Sequence, residues 1–205
     1  MRKQYPSNLS DCCLCEIRDS ATQVVQGHGP KPADIMFVGQ NPGISEDRDG
    51  KPFSDKSERI LNRIIKAICF TPEEVYITNV VKCITPENRL PYEDEMKSCS
   101  YWFIKELKEV NPKVIVTIGV CAFQIVACAP IDIRITDYAG QVVESPAEAF
   151  KGIKILPLMH PASLIYNHRR NYEPYTRHVA NLFGLLIDLE MIEPNSPDWR
   201  EGFCF

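Results

Sequence analysis

The sequence predicts one α/β domain, a three-layer α/β/α sandwich around a central, mainly parallel four-stranded sheet. Three observations carry this. Four short runs are rich in Ile and Val without alternating apolar and polar residues, as parallel strands covered on both faces do. Segments of helical periodicity separate those runs. The length of 205 residues suits a single domain with one substantial core.

The strands are expected at Asp34–Val38 (DIMFV), Val75–Val81 (VYITNVV), Lys113–Ile118 (KVIVTI) and Gly152–Leu158 (GIKILPL). After Asp55, the residues Ile60, Leu61, Ile64, Ile65 and Ile68 fall on one helix face. Trp102, Ile104, Leu107 and Val110 mark a second helix. A short helix rich in small residues follows Gly119. The last helix is expected from about Pro174 to Met191, with Val179, Leu182, Phe183, Leu186 and Leu189 on its apolar side. The single domain takes in residues 1–205, and the tail after Pro194 reads as a loosely packed extension.

Polar segments follow the strands directly. GQNPG (Gly39–Gly43) succeeds the first, Asn79 lies near the end of the second, and HPASL (His160–Leu164) succeeds the fourth. Open parallel sheets bind ligands outside the carboxyl ends of their strands. Segments far apart in sequence are therefore expected to meet at one sheet edge.

Composition narrows the function. Hydrophobic residues at 44% and charged residues at 24% are an ordinary soluble balance. No apolar run approaches the ~20 residues that span a bilayer, so no membrane partner is expected. The N-terminal MRKQYPSNLSDCC lacks an apolar signal core, which makes an intracellular protein the expectation. A net charge of −4 argues against a protein that coats nucleic acid. A local basic surface is still open: Lys151, Lys154, Arg169, Arg170 and Arg177 gather late in the chain against Glu173 alone.

Nine cysteines are many for a reducing compartment and suggest a metal or cluster before disulfides. Cys12 and Cys15 form a CxxC pair, and Cys83 and Cys99 a wider one. Four thiolates can close a tetrahedral zinc site or hold a [4Fe–4S] cluster, and spacing does not choose. The plain alternative makes Cys83 and Cys99 ordinary buried cysteines. Cys69, Cys121 and Cys128 read as core residues, and Cys204 lies in the tail without an obvious partner.

GQNPG, EDRDGKPF (Glu46–Phe53, EDRDGKPF), YITNVVKC (Tyr76–Cys83), NRLP (Asn88–Pro91) and HPASL occur in that order. The set resembles the uracil-DNA glycosylase superfamily, most closely its family 4 of iron–sulfur enzymes, from Cys12 to about Leu189. The resemblance favours a [4Fe–4S] cluster over zinc on Cys12, Cys15, Cys83 and Cys99. It implies a monomer that flips uracil out of DNA and hydrolyses its N-glycosidic bond, leaving an abasic site. It leaves a sliding clamp as a candidate partner. None of the recognised motifs places a lysine for Schiff-base chemistry, so strand cleavage is not expected.

The chemistry gives each residue type a reason. As the bond between uracil N1 and the sugar C1′ breaks, negative charge grows on the base and positive charge on the sugar. His160 would donate a hydrogen bond to uracil O2; alone, it would read as a histidine capping a strand end. Asn79 would pair with N3 and O4, because an amide carries both a donor and an acceptor; otherwise it ends a strand through a turn. Phe53 would stack on the flipped base, or be a core phenylalanine. Gly39 and Gln40 are placed against the substrate. Glu46 and Asp47 match the family's acidic pair; Glu46 would wall the pocket near C5 and exclude thymine's methyl, and Asp47 would otherwise be a solvated loop acid or helix cap. Leu164 would enter the stack as a wedge, or be a core leucine. Ser163, Arg169 and Arg170 would hold flanking phosphates, and Asn88 and Arg89 similarly. His28 reads as a loop residue, and His168 and His178 as part of a solvated basic face.

GQNPG departs from the family 4 pattern, which has an acid where Gln40 stands. Asn41 matches the asparagine of mismatch-specific and single-strand-selective relatives. An amide orients water but cannot serve as a general base near neutral pH. Two further readings therefore stay open: excision of another deaminated base, hypoxanthine or xanthine, and a non-catalytic iron–sulfur DNA-binding module.

Overall fold

The computed structural model describes residues 6–54 and 56–194. Its centre is a sheet of four strands, β1 (Ile35–Gly39), β2 (Tyr76–Asn79), β3 (Val114–Ile118) and β4 (Lys154–Leu158). They lie in the order β2-β1-β3-β4, every pairing parallel. The expected strands are all present. The second is shorter at both ends than Val75–Val81; beyond Asn79 the chain still follows β1, with the Val80 and Val81 N–H groups donating to the carbonyls of Gly39 and Gln40.

The side chains of β1 divide two cores by the two-residue pleat. Ile35 and Phe37 face α3 (Lys56–Ala67) and α7 (His168–Asp188), joined by Val114, Val116, Leu156 and Leu158. Met36 and Val38 face α4 (Glu93–Val110) and α5 (Val120–Ala127), joined by Ile115 and Ile155. These two covered faces explain the unbroken apolar runs of the strands. In α3, Ile60, Leu61, Ile64 and Ile65 are all buried, each side chain contributing about 1.5–3 kcal/mol of hydrophobic stabilisation.

The last helix starts earlier than expected. Pro174 suggested a first turn, where proline's missing N–H costs nothing. Instead α7 begins at His168 and runs through Pro174. Its start places Arg169 and Arg170 on the first turn, directly after α6 (Ala162–Tyr166). Residues 195–205, which include Cys204 and the expected tail, lie outside the described residues. Among the described residues no helix is long and apolar enough to cross a membrane.

Candidate active site

The carboxyl ends of the strands close around a cavity of about 180 Å³. Gln40, Asn41 and Gly43 come from the loop after β1, and Glu46 from α2 (Ile44–Asp49). Phe53 and Ser57 come from the segment into α3, Asn79 from β2, Asn88 from the loop beyond it, and His160 from the loop after β4. The sheet edge therefore gathers the segments that the sequence had placed there.

Gly39 explains how the floor is built. It pairs with Asn79 across the β1–β2 ladder. A Cβ on Gly39 would overlap Asn79 Oδ1 and stand 2.9 Å from Phe53 Cζ. Glycine thus lets the Asn79 amide and the Phe53 ring converge. Asn79 is buried, and its Nδ2 has no hydrogen-bond partner among the described residues. A buried amide donor without an acceptor carries a desolvation penalty, which a ligand acceptor in the cavity would relieve.

Phe53 is buried at φ 54°, a left-handed conformation that costs a bulky residue energy. Glu46 holds it there. One carboxylate oxygen accepts the Phe53 N–H, and the other accepts the Gly43 N–H at 2.5 Å. Glu46 therefore lines the cavity and also fixes its loop. Asp47 is buried as well, accepting the Thr22 N–H at 3.1 Å and the Gln23 N–H at 3.4 Å. It clamps α2 to the N-terminal segment, which sets aside the plain alternative of a solvated loop acid.

His160 is exposed at the cavity mouth. Its Nδ1 accepts the Ala162 N–H at 3.2 Å, which assigns the proton of a neutral ring to Nε2. Gly119, at φ 86°, lies behind it, where a Cβ would stand 3.6 Å from His160 Cβ. Asn41 is fixed on several sides. Its Oδ1 accepts from Gln40 Nε2 at 2.7 Å, and its Nδ2 donates to the Pro42 carbonyl at 2.9 Å. Asn88 Oδ1 lies 3.5 Å from the same nitrogen, so Asn88 belongs to the cavity wall.

A family model described as "Uracil DNA glycosylase superfamily" matches residues 26–183. The chain belongs to this superfamily. A Type-4 uracil-DNA glycosylase of Archaeoglobus fulgidus is 33% identical over 181 residues, 86% of this chain and 90% of that one. Its counterpart in Thermotoga maritima is 33% identical over 78% of this chain and 80% of its own. The Sulfurisphaera tokodaii enzyme is 35% identical over 80% of this chain and 76% of its own.

The four expected cysteines lie within electrostatic reach of one another but are not drawn together as a ligand group. Cys12, Cys83 and Cys99 are buried and Cys15 is half-buried. Burial, and then the neighbouring Cys99, Cys15 and Cys12, push the Cys83 thiol up to about 12. Burial raises Cys99 to about 12, against the pull of Lys82 and its N–H, with Cys15 and Cys12 adding to the rise. Burial likewise raises Cys15, with Cys12 beside it. Two sulfurs already accept hydrogen bonds: Cys12 Sγ from Trp102 Nε1 at 3.2 Å, and Cys99 Sγ from the Lys82 N–H at 3.3 Å. Cys13 points to solvent. Among the described residues, no group of three or more His, Cys, Asp or Glu is gathered to hold a metal ion.

Several expectations need correction. Leu164 is 3% exposed and packs in the core with Tyr175 and Val179, so it is not presented to a DNA stack. The side chains that protrude from α6 are Ile165 and Tyr166, 44% and 81% exposed. Ser163 Oγ is covered and has no hydrogen-bond partner among the described residues, so it is not presented to a phosphate. Arg89, half-buried, is already committed within the protein. It forms a two-pronged pair with Glu95, at 2.8 and 2.6 Å, and its guanidinium stacks 3.7 Å from the Tyr92 ring. His178 is buried against Gly140 instead of solvated. Cys69 and Cys128 are exposed, each at a helix end with positive φ. Of the late basic residues, Lys151 and Lys154 pair with Glu148 and Glu144, while Arg169 and Arg170 are exposed beside α6.

Proposed function

We propose that this superfamily member is a monofunctional glycosylase that removes uracil from DNA, and that it does so with a [4Fe–4S] cluster on Cys12, Cys15, Cys83 and Cys99. The observation that carries the reading is the convergence of Phe53, Asn79 and His160 on one small cavity, with Asn79 Nδ2 buried and without a hydrogen-bond partner among the described residues.

The flipped base stacks on Phe53, and Asn79 Nδ2 donates to O4 while Oδ1 accepts from N3–H. Thymine would carry a methyl at C5, against the wall that Glu46 and its loop form. Heterolysis sends the N1–C1′ electron pair to the base. His160 Nε2–H then stabilises the charge that reaches O2. Asn41 Oδ1 keeps one lone pair beyond its bond from Gln40 and orients a water toward C1′. The water oxygen bonds to C1′ and its proton leaves to solvent, since an amide cannot take it. The rate thus depends on stabilising separated charge more than on proton abstraction.

What supports the cluster is the donor set: four thiols, three of them buried and one half-buried, with N–H donors already aimed at two of the sulfurs; the described residues do not draw them together as a ligand group. A bound cluster would supply iron–sulfur bonds that tie the N-terminal segment, the loop after β2 and α4 together. Thiols raised to about 12 mean that loading releases protons.

On the DNA side, we assign the wedge to Tyr166 with Ile165, in place of Leu164. The adjoining Arg169 and Arg170 would contact flanking phosphates. Cations in the first turn of a helix face an unfavourable dipole, and a phosphate there would offset it.

A panel of oligonucleotides, each carrying a single uracil, hypoxanthine, xanthine or thymine, tests the proposal. Excision of uracil alone, abolished in His160→Ala and Asn79→Ala, is the expected result. Preference for a purine would favour the deaminated-purine reading. Unchanged processing in both variants would remove the catalytic assignment.

A further inference from the structure

Lys82 is 1% exposed, yet it carries a full charge into the interior between the base pocket and the cysteines. Its Nζ has three protons, and three oxygens meet them: Glu106 Oε2 at 2.5 Å, Thr78 Oγ1 at 2.6 Å and the Asn79 carbonyl at 2.7 Å. The Glu106 carboxylate is equally committed, accepting Thr78 Oγ1–H at 2.8 Å and the Gly27 N–H at 3.0 Å. The main chain of the same lysine turns the other way. Its N–H donates to Cys99 Sγ at 3.3 Å, and its carbonyl accepts the Val25 N–H at 2.7 Å.

Lys82 and Glu106 together therefore tie α4, the chain before Cys83 and the segment downstream of Cys12 and Cys15. Val25 and Gly27 belong to the segment that follows Cys12 and Cys15, Glu106 shares α4 with Cys99, and Cys83 directly follows Lys82. The Lys82 ammonium grips the peptide of Asn79, the residue whose amide faces the cavity. A buried ion pair is weak evidence for stability, because well-packed apolar residues of similar volume replace such pairs at little cost or with a gain. The attested use of such a pair is to select one geometry.

We propose that Lys82 and Glu106 are positioning residues: they register Asn79 against the cysteine-bearing segments and so set the uracil-reading amide from the far side of β2. This rests on the reading of Asn79 as the base-reading residue. Lys82 touches neither base nor water and acts through Asn79.

A double-mutant cycle tests this by single-turnover excision of uracil from a single-stranded oligonucleotide. Lys82→Met with Glu106→Leu removes both charges together. It is compared in the parent and in Asn79→Ala, with iron content and visible absorption measured on each protein. The expected result is a loss of about tenfold or more in the parent, on the scale of couplings between contacting residues. In Asn79→Ala the same change should add little further loss, and iron and spectrum should be retained. Equal losses in both backgrounds, or an unchanged rate in the parent, would overturn the proposal and leave the site reading intact. Loss of iron would overturn it too, since the pair would then serve the thiols and not Asn79. A parent-like rate in Asn79→Ala would instead remove the site reading itself, and this inference with it. Should the double variant not fold, Thr78→Val removes only the hydroxyl that Lys82 and Glu106 share and completes the same cycle.

Discussion

The side-chain amide of Gln40 donates to Asn41 Oδ1 across 2.7 Å, and neither group titrates near neutral pH. Gln40 stands where the resemblance to family 4 leads one to expect an acid. Gln40→Glu would put a carboxylate beside the water site. Its excision rate is expected to rise on the order of 10²-fold, the lower end for general base catalysis. The gain should vanish as pH falls and the new carboxyl protonates. A pH–rate profile of parent and variant checks this, and profiles of the same shape would count against it.

Glu46 spans the loop from Gly43 to Phe53 with its two oxygens. Glutamine can accept at one of those positions and presents a donor at the other. Glu46→Gln is expected to destabilise the fold by about 1–3 kcal/mol, the scale of a lost charge-assisted bond. Phe53 would also relax from φ 54°, raising KM for uracil-containing DNA. Chemical denaturation alongside steady-state kinetics measures both effects. An unchanged KM would contradict the positioning role.

Tyr166 projects 81% exposed from α6 while Leu164 is buried beneath it. Filling the gap left by a flipped base matters most in duplex DNA, where the neighbouring stack must be held open. Tyr166→Ala is expected to lower excision from duplex by about tenfold or more, given that base–aromatic stacking is worth about 1–3 kcal/mol. Single-stranded substrate should lose far less. Equal losses on both substrates, or none, would argue against a wedge.

Trp102 is buried and its only polar group donates to Cys12 Sγ. Hydrogen bonds to ligand sulfur favour the more reduced, more negative state of a cluster and raise its potential. Trp102→Phe should keep its iron and shift the midpoint potential to more negative values in voltammetry. An unmoved potential would show that this hydrogen bond does not reach the cluster.

Burial, followed by the charge of Arg177, lowers the pKa of His178 below its ordinary 6.5. The unfolded chain therefore binds this proton more readily than the folded one. Stability is full above the unfolded pKa and falls as pH drops below it. Thermal unfolding at pH 7.5 and at pH 5 should show a smaller acid loss in His178→Met than in the parent. Parallel losses would assign the acid sensitivity elsewhere.

Much of this architecture was legible because the relevant patterns are local. Unbroken Ile and Val runs report strands covered on both faces, and the segments at their carboxyl ends report where the cavity opens. His178 was within reach as well: it falls in phase with Tyr175, Val179 and Leu182 on the buried side of α7, although the arginines around it suggested a solvated face. Arg89 and Lys82 were out of reach. Their partners, Glu95 and Glu106, are set by how α4 docks, and nothing in the flanking sequence marks either cation as paired. Leu164 and Tyr166 illustrate the same point at short range. In a helix as short as α6, which side chain faces inward depends on the docking of α7, not on periodicity.

The claim that matters most is base excision itself. The purified, iron-loaded protein should be incubated with single- and double-stranded oligonucleotides carrying one uracil, with free base separated by chromatography and abasic sites cleaved by alkali. Free uracil and alkali-labile product in equal amounts, with no strand break before alkali, is the result expected. Absence of both from either form of the substrate would contradict the account.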